Sequence, residues 1–432
     1  MELFARFKKD YFNYLVSIIL PALISGVSIP VFKRMLGAEG YGQFALWLNA
    51  ILLTTSFITG WLVQSIIRFF PASNDKRDFY QRSLRLLILA LPIAIIPAGI
   101  LAWTISGKAI LVVLCIVALI SSSFQFAILP VAQSFFLSRK IITSEIIRTV
   151  IYFAGGILLI TLTDLHYLTS LLLAVAISYI CSFTFLYKTC NSRTHREPVA
   201  DMAGSNSSQL IRKFYSYGAP LSLWFVFTYL LTYIDKLFSI HTFGATYQGN
   251  YQAMFDFIGK SITLLITPVI SALFPLLTAA YESGNRKEIR GFMIKIFLYE
   301  FSGFILVSIG YWIFGADLLF YVLDIPKTFN YELIGFIIIC GTFVWQLAIL
   351  IHKRFELNLK TRFLLIAVII AFLCQVSFYY LMRETGNELA APLGFLIASL
   401  VYFTIVSLPE LGSILKMQNH KSGPGQQPAP NR

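Results

Sequence analysis

The sequence predicts an all-α membrane protein, with about twelve transmembrane helices in two six-helix lobes. Three observations lead there. Of 432 residues, 57% are hydrophobic and only 13% charged, whereas a soluble domain carries about a quarter charged residues. Apolar runs of about 20 residues recur, the length a helix needs to cross roughly 30 Å of hydrocarbon. A short glycine pattern also occurs twice, at a fixed offset. Helices follow because a helix satisfies its backbone polar groups within one segment, where no water can do so.

Taken in order, the apolar runs fall at 11–32, 41–67, 84–105, 109–137, 145–163 and 168–188, then at 214–241, 249–277, 291–314, 331–351, 361–382 and 389–412. The opening MELFARFKKD leads directly into the first run and is not expected to be a cleaved leader. Between the sixth and seventh runs, NSRTHREPVADMAGSNSSQLIRK is polar and rich in turn formers, and it reads as a linker. The expected layout is a first lobe over 1–190, a cytoplasmic linker over 191–213 and a second lobe over 214–415. A disordered tail is expected over 416–432, which lacks apolar residues to bury. Pro21, Pro30, Pro92, Pro97, Pro130, Pro268 and Pro275 fall inside runs, where bends are expected.

Twelve crossings put alternate loops on opposite sides. One side then holds Lys33, Arg34, Lys108, Lys327 and Arg383; Lys236 and Lys260 fall inside runs, and the rest of the 34 Lys and Arg lie on the other side. Such asymmetry places the basic side, and with it both termini, in the cytoplasm. The formal charge of +13 therefore belongs to membrane topology, and no nucleic-acid partner is implied. Cys115, Cys181, Cys190, Cys340 and Cys374 form no CxxC pair and read as packing residues, with no metal or cofactor implied.

The glycine pattern is LGAEGYGQF at 36–44 and FGATYQGNY at 243–251. Gly37, Ala38, Gly42, Gln43 and Phe44 correspond to Gly244, Ala245, Gly249, Asn250 and Tyr251, each displaced by 207 positions, as Gly244 is from Gly37. Both copies fall between the first and second span of a half, where glycine suits a tight turn. Six spans per half is an even number, so the repeats are parallel, related by an axis along the membrane normal.

The stretch YIDKLFSIHTFGATYQGNYQAMFDFIGKSITLLITPVISALFPLL at 233–277 resembles the seventh and eighth helices of the polysaccharide-biosynthesis flippases. These belong to the multidrug/oligosaccharidyl-lipid/polysaccharide exporter superfamily. Asp235-Lys236, Gly244, Gly249, Tyr251 and Phe274-Pro275 carry the resemblance, and GWLVQSIIRFFP at 60–71, with Arg68 before Pro71, extends it to the first half. It implies an inner-membrane transporter, not an enzyme, working by alternating access between two lobes. The implied cargo is an undecaprenyl-diphosphate-linked oligosaccharide, a repeat unit of O-antigen, capsule or exopolysaccharide. Implied partners are membrane lipids, a coupling H+ or Na+ and polysaccharide-assembly proteins.

Ionisable groups inside spans are costly and so mark candidate sites. Asp256 and Lys260 are four apart and share a helix face, as a buried ion pair or as a cavity wall. Asn49 corresponds to Asp256 under the offset. Lys33, Arg34 and Arg68 end their spans, either snorkelling to head groups or lining a cationic route for a diphosphate. Lys236 joins this substrate-binding set. Glu145 and Arg148, three apart, read as a structural pair. Glu300 is deep in its span with no basic residue three or four positions away, and reads either as an ion-coupling carboxylate or as a neutral structural one; Asp235 is the second coupling candidate, beside a structural reading with Lys236. Trp224, Tyr229, Tyr233 and Tyr251 are the aromatics considered for stacking on sugars.

Two other classes compete. A membrane polymerase or ligase of lipid-linked glycans would need acids, bases and phosphate-binding loops that the short outer loops lack. A cation-coupled drug exporter would need an acidic, aromatic cavity, whereas the candidates here are mixed to basic.

Overall fold

The computed structural model describes the backbone of residues 2–70, 73, 76–135, 137–194, 207–282, 286–357 and 360–421. Side chains are described within these from 21 onward, except 22, 68, 101, 104, 105, 194, 207–217, 267–290, 292, 357 and 409–421. The described chain is helical throughout: α1 (Glu2–Phe69), α2 (Lys76–Ser106), α3 (Ala109–Ser134), α4 (Ser138–Leu162), α5 (Tyr167–Thr194), α6 (Ser207–Phe243), α7 (Ala245–Glu282), α8 (Arg286–Leu323), α9 (Phe329–Leu357), α10 (Thr361–Met382) and α11 (Ala390–Lys421).

α1 is two helices joined at Gly37, whose φ of 71° and ψ of 174° break the helix. Gly244, between α6 and α7, has φ 88°. The two glycines that correspond in the repeat thus both adopt the left-handed φ that only glycine takes without penalty. Counting the arms of α1 (2–36 and 38–69) separately, the described residues form the twelve helices read from the sequence. Ten helices among the described residues are long and apolar enough to span a membrane, and the stretch Leu23–Ile67 is 45 residues long. At 1.5 Å per residue that stretch is about twice one crossing. The chain is therefore a multi-pass membrane protein. Outward side chains agree: Leu89, Ile93 and Ile96 of α2 and Leu306, Ile309 and Ile313 of α8 are exposed.

α1 to α5 form the first lobe and α6 to α11 the second, and the lobes meet mainly through α1 against α6 and α7. Below, the end bearing Gly37 and Gly244 is the kink end, and the end where α5 leads to α6 is the linker end. Lipid offers apolar surface no less than protein does, so association of membrane helices relies on close packing of small residues. Four contacts show it. A Cβ on Gly42 would meet the Gly249 Cα at 2.9 Å, and one on Gly249 would fall on the Ala38 carbonyl. A Cβ on Gly60 would meet the Ser222 Oγ at 2.8 Å, and one on Gly218 would strike the Trp61 carbonyl. Gly42 and Gly249 are thus not turn residues, as their motif suggests. They lie within helices and let the second arm of α1 touch α7.

Two sequence boundaries shift. α5 continues to Thr194 and α6 begins at Ser207, so helix extends into both ends of the expected linker, and 195–206 lie outside the described residues. α11 reaches Lys421, inside the stretch expected to be a tail; 422–432 lie outside the described residues.

Candidate functional site

A cavity of about 560 Å³ lies between the lobes. Its walls are Pro21 and Ser25 of α1, Arg148 of α4, Thr228 and Thr232 of α6, Asp256, Gly259, Lys260 and Thr263 of α7, and Thr342, Trp345 and Gln346 of α9. Lys260 lies about 24 Å along α7 from Gly244 at 1.5 Å per residue, near the middle of that helix.

Asp256 and Lys260 do share a face, but they are not an ion pair. Lys260 Nζ donates to Ser25 Oγ at 2.8 Å. Asp256 Oδ2 accepts from the Tyr41 hydroxyl at 2.9 Å. Each is held by the opposite lobe, because the face that carries them is the one α7 turns toward α1. Asn49 does not join them: its amide donates to the Ala45 carbonyl of its own helix at 2.6 Å, and it lines no described cavity. Arg148, which reads as structural in the sequence, does reach the cavity wall. It is bound to Glu145 Oε2 through Nε at 3.0 Å and Nη2 at 2.7 Å. Its guanidinium also sits 5.5 Å from the centre of the Tyr179 ring. The missed signal was its register near the middle of α4, facing the other lobe; a three-residue spacing to a glutamate does not tell a wall from a core.

Lys33 and Arg34 neither snorkel nor line this cavity. Lys33 is buried and its Nζ donates to the Asp324 carbonyl at 2.9 Å. Arg34 Nη2 donates to the Tyr321 carbonyl. α8 ends there, with Asp324 at φ 53° and the Ile325 amide bonded back to the Leu319 carbonyl at 3.0 Å. The last carbonyls of a helix lack intrahelical partners and carry its negative dipole end, so two cations suit them. The first arm of α1 is thereby latched to the second lobe at the kink end. Arg68 is helical in backbone, and its side chain lies outside the described residues.

The coupling candidates separate. Asp235 is buried and fully engaged: it accepts from the Tyr251 hydroxyl at 3.2 Å, and from the Tyr379 hydroxyl and the Gln375 amide. Lys236 beside it is also buried. Glu300, some 20 Å along α8 at 1.5 Å per residue, is buried with neither carboxylate oxygen bonded among the described residues. The aromatics separate too. Tyr251 binds Asp235, and Trp224 is buried in the second lobe. Tyr233 faces a different cleft and Tyr229 lines neither, while Trp345, unflagged in the sequence, lines the cavity.

That different cleft, of about 550 Å³, opens between the second arm of α1 and α6. Gln43, Trp47, Thr54, Ala98, Ala102 and Leu111 face Tyr233, Leu237, Ile240 and His241 across it, with Lys108 and His166 at the kink end.

Two six-helix lobes around a cavity between them define a class of membrane transporter fold. An inward-facing multidrug transporter of the MATE family, in the MOP superfamily, superposes with a TM-score of 0.67 at 14% identity, over 95% of this chain and 96% of that one. An outward-facing MATE transporter gives 0.64 at 13% identity, over 95% and 96%. A MOP-superfamily transporter from Pyrococcus furiosus, whose binding pocket is described as of reverse polarity, gives 0.66 at 14%, over 95% and 97%. Within that fold, residues 7–280 match the family described as polysaccharide biosynthesis protein, and the chain belongs to that family. The Lsg locus putative protein 1 of Haemophilus influenzae is 23% identical over 336 residues, 73% of this chain and 76% of that protein.

Proposed function

We propose that the chain is a flippase, carrying a lipid-diphosphate-linked oligosaccharide across the cytoplasmic membrane for polysaccharide assembly. One observation carries the reading: Lys260 and Arg148, from opposite lobes, line one cavity whose other polar walls are mostly neutral hydroxyls and an amide. Two cations suit a diphosphate, and hydroxyls, an amide and Trp345 suit sugar. Membership of a polysaccharide biosynthesis family supports the same cargo. For a cationic drug the cavity should be acidic, whereas its lining presents one acidic residue, Asp256, against two basic ones, Lys260 and Arg148. The distribution of Lys and Arg supports cytoplasmic termini and an outward-facing kink end. A tag on the C-terminus that reagents reach from outside intact cells would overturn that orientation.

The test is the double substitution Asp256→Asn with Lys260→Gln, which leaves no bare charge behind. We expect surface polysaccharide to fall at least about tenfold at normal protein abundance, equivalent to about 1.4 kcal/mol. Undiminished export would remove the pair from the mechanism.

Coupling by H+ or Na+ runs through Glu300 in this reading, because its oxygens have no described partner while those of Asp235 are spoken for. A carboxylate that must lose and regain its proton is not replaced by an amide. Glu300→Gln should therefore stall export at normal abundance, and Glu300→Asp should keep part of it. Should Gln serve as well as Glu, Asp235 becomes the coupling residue.

A further inference from the structure

Away from the cavity's charges, the second lobe contains a buried hydrogen-bond chain that the transport reading does not use. His352 of α9 is 1% exposed. Its Nδ1 is 2.9 Å from the Tyr402 hydroxyl of α11, and its Nε2 is 2.6 Å from Glu356 Oε1. Trp224 Nε1 of α6 donates to the same Tyr402 hydroxyl at 2.9 Å. Lys353 Nζ meets Glu356 Oε2 at 2.8 Å.

For a neutral ring the directions follow from the partners. Indole N–H only donates and an ionised carboxylate only accepts. Trp224 therefore donates to the Tyr402 oxygen, Tyr402 donates to Nδ1, and Nε2–H donates to Glu356. Every group in the chain is satisfied with a neutral ring, in the tautomer its neighbours assign. One site remains able to take a proton, and that is Nδ1. Its occupation would leave the ring donating on both sides. The Tyr402 hydroxyl would then accept from both Trp224 and His352 and turn its own hydrogen away.

The geometry points to His352 as a proton-binding site of the second lobe, read out at the cavity wall through Tyr402 and Trp345. Tyr402 stacks on Trp345 with ring centroids 5.0 Å apart, and Trp345 lines the cavity. The proton comes from water at the linker end, where Glu356 and Lys353 keep side-chain exposures of 25% and 27%. One proton is gained, held as an imidazolium between Glu356 and Tyr402, and no other covalent bond changes. Among the described residues the charges acting on the ring are Glu356 and Lys353 of its own helix. Of the packed helices, α11 presents Tyr402 and α6 presents the non-titrating Trp224, while the described side chains of α7, α8 and α10 present no charge to it.

An imidazolium quenches a neighbouring indole, and the Trp224 ring centre is 4.7 Å from that of His352. The full-length protein in lipid nanodiscs, with Trp224 or Trp345 as its single tryptophan, is titrated between about pH 5 and 8, where histidine changes charge. Emission of both tryptophans should change with acidification, and His352→Gln should abolish both changes. In Tyr402→Phe the Trp224 response should remain and the Trp345 response disappear. A Trp224 signal flat across the range would overturn the proton site. A Trp345 response surviving Tyr402→Phe would overturn the relay, and this arm decides if the glutamine variant does not fold.

Discussion

Two interfaces join the lobes, and the repeat makes them counterparts. The first arm of α1 corresponds to α6 and the second arm to α7, so first arm against α7 mirrors α6 against second arm. Yet they are set in opposite ways. The first is latched at the kink end by Lys33 and Arg34, and its cavity lies on the linker side of that latch. The second is tight toward the linker end, where Gly60 meets Ser222 and Gly218 meets Trp61, and it gapes at the kink end around Trp47 and Tyr233. Under the 207 offset Lys33 and Arg34 correspond to Ile240 and His241. An isoleucine cannot bind an orphan carbonyl, and among the described residues His241 makes no hydrogen bond to the end of α2 that would match the latch. A difference of two residues thus chooses which cleft is held shut at which end.

The largest expected effect comes from breaking the contact that lies between these interfaces, that of Gly42 in the second arm with Gly249 in α7. Gly249→Val puts a branched side chain where the Ala38 carbonyl already lies, and overpacking of this kind costs about 1–3 kcal/mol. The kink end should part. In a background freed of the native cysteines, spin labels at Glu39 and Thr246, both exposed there, should report a longer distance, and export should fail. An unchanged distance would mean the helices slide without opening.

Next comes the latch alone. Lys33→Ala with Arg34→Ala removes two charge-assisted hydrogen bonds, each worth about 1.5–3 kcal/mol. The protein should still fold, because the latch serves one arrangement of the lobes and not the packing within either. A cysteine at Ile325, which is buried beside the latch, should label faster with a membrane-impermeant thiol reagent in the variant, by about tenfold for each 1.4 kcal/mol of latch lost. Equal rates would show that Gly42 and Gly249 suffice to close the kink end.

The smallest effect tests the unlatched cleft. Ala102 is 2% exposed and lines it. Ala102→Trp should fill it and slow export a few-fold, if this cleft must close as the other opens, with about 1 kcal/mol the scale of such a change. Full activity would make the cleft a passive feature of the resting arrangement.

Helix identity and chain order were legible because both depend on local properties. Apolar length sets a crossing, and Gly37 and Gly244 betray the breaks through a shared need for positive φ. Even the common face of Asp256 and Lys260 follows from a four-residue spacing, as their position on one cavity wall shows. Their partners were not legible. Ser25 is 235 residues from Lys260 and Tyr41 is 215 from Asp256.

By itself, then, the sequence determined the membrane class, the two-lobed repeat and the twelve helices. Only the tertiary structure decided that Lys33 and Arg34 cap α8, that Arg148 reaches the cavity, that Gly42 meets Gly249, and that Asp235 is engaged while Glu300 is not. The physical reason is range. Helical periodicity acts over a few residues and fixes which side chains share a face. What that face meets depends on how two separately packed lobes dock, and their contacts join residues hundreds of positions apart.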